Sequence, residues 1–173
     1  MALGSNLGDR MEHLRFAVDA IRTLRDVTLD PERDIASVYE TAPVGCSTEQ
    51  GPYLNSVCRV KTTRKPAALL STLHQIEARR LRERKVTNGP RTLDLDLLAY
   101  GTITLNDPEM TIPHPRMHDR LFVLQPLMEI EPHWVHPVTG DAVAVLVSQT
   151  QANDPSQQIQ RVTERDWISM SGV

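Results

Sequence analysis

The sequence predicts one α+β domain, on three observations. A chain of 173 residues with 40% hydrophobic side chains and no long polar tract suits one compact unit, which at this size buries roughly 70% of its unfolded surface. Apolar residues recur at helical spacing in two well-separated segments. Segments rich in β-branched, aromatic or alternating residues lie between and after them.

Asp9, with Glu12 three residues on, forms a variant capping box, and Met11, Leu14, Val18, Ile21 and Leu24 follow at helical spacing, so a first helix is expected over about residues 10–25. Ile35–Thr41 and Tyr53–Thr62 read as strands flanking a long irregular loop. Pro66 suits the first turn of a second helix, because its missing N–H would be unpaired there anyway, and Leu69, Leu70, Leu73 and Ile76 supply its apolar stripe. Residues 79–91 are polar and end in turn chemistry, which predicts a mobile loop. Leu93–Tyr100 reads as a strand, Gly101-Thr102 as a turn and Ile103–Leu105 as a short return, whereas prolines at 108, 113 and 115 predict an irregular stretch over 106–120. Leu121, Leu124 and Met128 suggest a short helix. Asp141–Ser148 fits helix or strand equally, and residues 149–173 read as a polar C-terminal extension without an assigned element.

The 22 acidic and 19 basic side chains leave a net charge of −3, so no whole-protein field draws the chain to nucleic acid or acidic lipid. Any bound anion must be gripped locally. Two cysteines, Cys46 and Cys58, without a C-x-x-C pair, argue against a disulfide scaffold or a cysteine zinc site and favour a reduced cytoplasm. The first ten residues lack the apolar run of a signal peptide, and no stretch is long and apolar enough to span a bilayer.

Thr92-Leu93-Asp94-Leu95-Asp96-Leu97 alternates with period two, which puts Asp94 and Asp96 on one face of a strand. Two neighbouring carboxylates repel unless a cation lies between them, and a magnesium ion fits that need; an acidic strand face in water is the plainer alternative. Arg79, Arg80, Arg82, Arg84, Lys85 and Arg91 cluster just before the pair. Carboxylates for magnesium and cations for phosphate oxygens are what a nucleoside triphosphate needs, although the same run could be a solvated helix end. Neither a Walker A sequence nor a G-x-G-x-x-G motif is present. Tyr53 and Asn55 share a strand face and offer a ring and an amide; with Phe122 they could clamp a flat heterocycle, or the rings could simply pack in the core. His114 and Arg120 suit phosphate contact, with a surface histidine as the alternative. Glu77 continues the stripe of the second helix on its core side, where it needs a partner or a ligand unless it sits at the rim in water.

Gly89-Pro90-Arg91-Thr92-Leu93-Asp94-Leu95-Asp96 resembles the signature of the 6-hydroxymethyl-7,8-dihydropterin pyrophosphokinase family. Leu3-Gly4-Ser5-Asn6-Leu7-Gly8, Tyr53-Leu54-Asn55, Ile112-Pro113-His114-Pro115-Arg116 and Phe122-Val123-Leu124 extend the resemblance over roughly residues 2–147. It implies a ferredoxin-like α+β sandwich, a mostly antiparallel sheet with helices packed on it, and transfer of the terminal pyrophosphate of ATP to a reduced pterin with release of AMP. It further implies that Asp94 and Asp96 hold two magnesium ions and that Arg82, Arg84 and Arg91 grip phosphates. By the same resemblance Tyr53 and Phe122 sandwich the pterin, Asn55 and the backbone around Thr41 and Val44 read its edge, and Glu77, Leu97, Thr111, His114 and Arg120 line the nucleotide side. Neither nucleic acid nor membrane is an expected partner, and a monomer is expected. Three departures stand out: the chain begins short of the family's usual first strand, which suggests a clipped strand or an upstream start, Asn88 replaces a loop tryptophan of some members, and Glu109 replaces an arginine. A ferredoxin-like RNA-binding module and a kinase moving one phosphoryl group are the alternatives.

Overall fold

In the computed structural model, which describes residues 1–42, 50–80 and 91–168, the chain begins with strand β1 (Ala2–Ser5) and helix α1 (Arg10–Arg22). The Asp9 carboxylate accepts the Glu12 N–H at 3.0 Å, the cap the sequence predicts. β2 (Val27–Thr28) and the single-turn α2 (Pro31–Asp34) lead to β3 (Val38–Thr41), β4 (Tyr53–Val57) and β5 (Lys61–Thr62). Helix α3 (Pro66–Ala78) opens on its proline as expected. β6 (Asp94–Asp96), β7 (Leu105–Asp107), β8 (Met110–Ile112), a 3₁₀ turn (Met117–Asp119), α4 (Leu121–Ile130), α5 (Val143–Asn153), β9 (Ile159–Thr163) and a second 3₁₀ turn (Arg165–Ile168) complete the order.

The main sheet runs β6-β1-β4-β3-β9, with every pairing antiparallel. A four-residue β1 is thus present and pairs on both sides. Leu3, Leu54 and Leu95 share one face with Leu14, Val18 and Ile21 of α1 and Leu69, Leu73 and Ile76 of α3. On the opposite face Ala2 and Val57 pack with Leu121, Leu124 and Leu127 of α4 and Leu146 and Val147 of α5. Helices on both faces of an antiparallel sheet agree with the expected ferredoxin-like sandwich. Leu124 has no exposed surface, so Leu124→Ala is expected to cost about 3 kcal/mol in chemical denaturation, by lost transfer energy plus a cavity.

Several elements differ from the sequence reading. The strand expected over Leu93–Tyr100 is regular only at Asp94–Asp96, and the stretch expected to be irregular contains the β7–β8 hairpin. Its three-residue strands are too short to show a period. The C-terminal stretch read as a polar extension supplies the edge strand β9, paired with β3. Beyond it, Trp167 is 1% exposed and donates its indole N–H to the Ala36 carbonyl at 2.9 Å.

Candidate active site

Because β1 lies between β4 and β6, one row of residues crosses three strands: Asn55, Gly4 and Asp94 are directly paired. Paired residues point to the same face, and two strand spacings separate the Asn55 and Asp94 backbones by about 10 Å. A Cβ at Gly4 would lie 3.2 Å from Asn55 Oδ1 and 3.8 Å from the Asp94 Cβ. A side chain at position 4 would therefore crowd both the amide and the carboxylate, which glycine avoids. Asp96 follows on the same face opposite Ala2, and Tyr53 opposite Thr41.

Arg91 Nη1 lies 2.5 Å from Asp94 Oδ1. Burial alone would weaken its protonation, but the pull of Asp94, helped by Asp96, holds the guanidinium pKa above its ordinary value. Arg120 is the opposite case: burial, with Arg116 nearby, lowers its pKa despite attraction from Asp96, Asp119 and Asp94. It stays cationic at neutral pH, since arginine starts far above it. Its guanidinium carbon stands 5.5 Å from the Phe122 ring centre, joining the ring side to the cation side. The His114 N–H donates to the Leu98 carbonyl at 2.7 Å, which docks its loop on the end of β6. His114 Nδ1 accepts the Arg116 N–H at 3.2 Å, so a neutral ring carries its proton on Nε2. Burial first, with Arg120 and Arg116, pushes its pKa down, against Asp96.

On the ring side, Asn55 is buried and donates Nδ2–H to Thr41 Oγ1 at 2.8 Å, while Tyr53 is half-buried. Thr111 stands half-buried on β8, and Glu109 is exposed at its turn. The expected site residues Val44, Arg82 and Arg84, and Asn88, lie outside the described residues.

Two of the residues expected on the nucleotide side, Glu77 and Leu97, are buried. Glu77 is 2% exposed and its Oε1 accepts the Leu95 N–H at 2.8 Å. α3 packs on the leucine face of the sheet, whereas Asp94 and Asp96 point to the other, so this carboxylate braces β6 from behind. β6 is a terminal strand, and the amide it turns away from β1 needs such an acceptor. Glu77→Ala, leaving that buried N–H unsatisfied, is expected to cost about 2 kcal/mol in denaturant titration, and Glu77→Gln, which keeps an acceptor, less than half of that. The Leu97 side chain is core at 6% exposure, so only its backbone is available to a nucleotide.

Sequence reasoning assigned no role to Ser5, Asn6 or Gln50, yet Ser5 Oγ donates to the Thr92 carbonyl at 2.6 Å and the Asn6 amide bonds both Arg91 and Gln50. These links join residues 44 to 87 positions apart, which local patterns do not reveal. A separate cavity of ≈ 480 Å³, lined by Met1, Cys58, Tyr100 and Trp134 among others, lies past the C-terminal end of β6. Of the expected site residues only Leu97 lines it.

A carboxylate pair, flanking cations, a ring and an edge-reading amide on one sheet face are the equipment of a transferase that joins a polyphosphate to a flat heterocycle. The family model described as 7,8-dihydro-6-hydroxymethylpterin-pyrophosphokinase (HPPK) matches residues 1–132, and the chain belongs to that family. It is 44% identical over 130 residues to a 2-amino-4-hydroxy-6-hydroxymethyldihydropteridine pyrophosphokinase of Bacillus subtilis, covering 75% of each chain. The enzyme of the same name from Haemophilus influenzae is 39% identical over 149 residues, 86% of this chain and 90% of that one. Among solved structures, Plasmodium falciparum HPPK-DHPS aligns with TM-score 0.61 at 14% identity, over 90% of this chain and 44% of that one. At that identity the likeness supports the fold alone.

Proposed function

We propose that the protein carries out its family's reaction, transfer of pyrophosphate from ATP to the hydroxymethyl group of 6-hydroxymethyl-7,8-dihydropterin in folate synthesis, on the β4–β1–β6 face, and that it depends on magnesium. The observation that supports this reading is the row Asn55–Gly4–Asp94, which sets an amide and a carboxylate on one face with a glycine, bare of a Cβ, paired between them.

Asp94 and Asp96 suit magnesium, which is bound through one or two carboxylates and leaves its remaining positions to water and phosphate. Two bound magnesium ions would neutralise the triphosphate and acidify the attacking hydroxyl. Arg91, Arg120 and the Nε2–H of neutral His114 hold the phosphate oxygens in line. Arg82 and Arg84 are assigned to phosphate by family resemblance alone. Asn55 reads the pterin edge through the donor and acceptor capacity that Thr41 leaves it, while Tyr53 and Phe122 hold the ring. The hydroxyl releases its proton to solvent as its oxygen attacks the β-phosphorus, the bond from that phosphorus to the α,β-bridging oxygen breaks, and AMP leaves with the electron pair. Such transfer needs positioning and charge neutralisation more than covalent help.

The free, buried Cys58 suits a reducing cytoplasm, and no helix among the described residues is long and apolar enough to cross a membrane. Incubating the protein with Mg-ATP and 6-hydroxymethyl-7,8-dihydropterin should yield AMP only when the pterin is present. ADP would mean a single phosphoryl group moves, and a steeply salt-dependent RNA shift without AMP would favour a binding module.

A further inference from the structure

The Asn6 side chain is 8% exposed and bonded on both of its atoms. Its Oδ1 accepts the Arg91 N–H at 2.7 Å, and the Asn6 N–H donates back to the Arg91 carbonyl at 3.0 Å. Its Nδ2 donates to Gln50 Oε1 at 3.0 Å, and the same Gln50 oxygen accepts from the Tyr53 hydroxyl at 3.4 Å. The polarity of this relay is not free. A backbone N–H can only donate, so the Arg91 amide fixes Oδ1 toward it. Nδ2 must then face Gln50, which presents oxygen, and the tyrosine hydroxyl must donate.

We propose that Asn6 is a positioning residue that sets the phosphate-gripping Arg91 and the ring-holding Tyr53 against each other. The inference rests on the reaction proposed above for the roles of the two ends, while the relay itself rests on geometry. The Oδ1 arm of Asn6 holds the backbone from which Arg91 reaches Asp94, and its Nδ2 arm orients, through Gln50, the hydroxyl end of Tyr53. Aspartate cannot replace it, because a second acceptor facing Gln50 would force that amide to turn and take the acceptor from Tyr53.

The test uses amide hydrogen exchange together with steady-state kinetics on the full chain. In Asn6→Ala the Arg91 N–H should exchange at least about tenfold faster, while the Leu95 N–H, held by Glu77, stays within about twofold of wild type. In Asn6→Asp the Arg91 amide stays protected but KM for the pterin rises about fivefold, with KM for ATP within about twofold. Gln50→Ala should reproduce that pattern and serves if Asn6→Ala does not fold. Unchanged Arg91 exchange in Asn6→Ala, or equal shifts of both KM values in Gln50→Ala, would overturn the proposal. A wild type that protects the Arg91 amide yet makes no AMP would sink the reaction and leave the relay standing.

Discussion

Replacing Asp94 or Asp96 with alanine should lower kcat/KM by about 10⁴-fold at saturating magnesium, because in the proposed reaction each substitution removes a ligand from ions that neutralise a triphosphate at its reacting centre. The fold should survive. Neither side chain belongs to an apolar cluster, and removing one of two like charges on a strand face relieves repulsion. Asp94→Asn separates charge from shape: it fills the same volume, can still meet Arg91, and lacks the negative charge a hard cation needs. Equal losses of activity in Asp94→Asn and Asp94→Ala are the expected result. A retained rate in either would show that the ions are held elsewhere.

Arg91→Ala should cost about 10³-fold in kcat/KM, the range in which an arginine on transferring phosphate acts. The mutation removes a cation from the phosphates and also the partner 2.5 Å from Asp94, so its effect should be non-additive with Asp94→Ala. Lysine should recover less than about a tenth of the lost activity, since a point charge cannot reproduce the planar fork that reaches carboxylate and phosphate together. Single-turnover measurement of AMP checks both. Full rescue by lysine would mean that Arg91 contributes charge alone.

The parts legible in sequence were those that repeat or punctuate. The helical stripe at Met11–Leu24 and the prolyl start at Pro66 gave α1 and α3, and period-two alternation placed Asp94 with Asp96 and Tyr53 with Asn55 on shared faces. Edge elements were illegible for a physical reason. β9 is half in water, so Gln160 and Arg161 are tolerated where a central strand would demand apolar side chains, and no pattern announces it. Glu77 shows the same limit behind the site. Its turn toward the core and its need for a partner could be read from spacing, but the partner is the Leu95 N–H, a backbone group that spacing cannot identify.

The place of β1 as the shared neighbour of β4 and β6 has an evolutionary edge. Gly4 is matched to Asn55 on one side and Asp94 on the other, so the residues proposed for pterin and for metal are aligned by a single four-residue segment. Point substitutions around this face can be sampled one at a time. A one-residue insertion or deletion within β1 cannot, because slipping a strand by one turns Leu3 outward and Gly4 inward and shifts both pairings at once. Lineages that carry this site are therefore free to drift in side chains but locked in frame, and alignment gaps among active descendants should stop at Ala2 and resume only after Ser5.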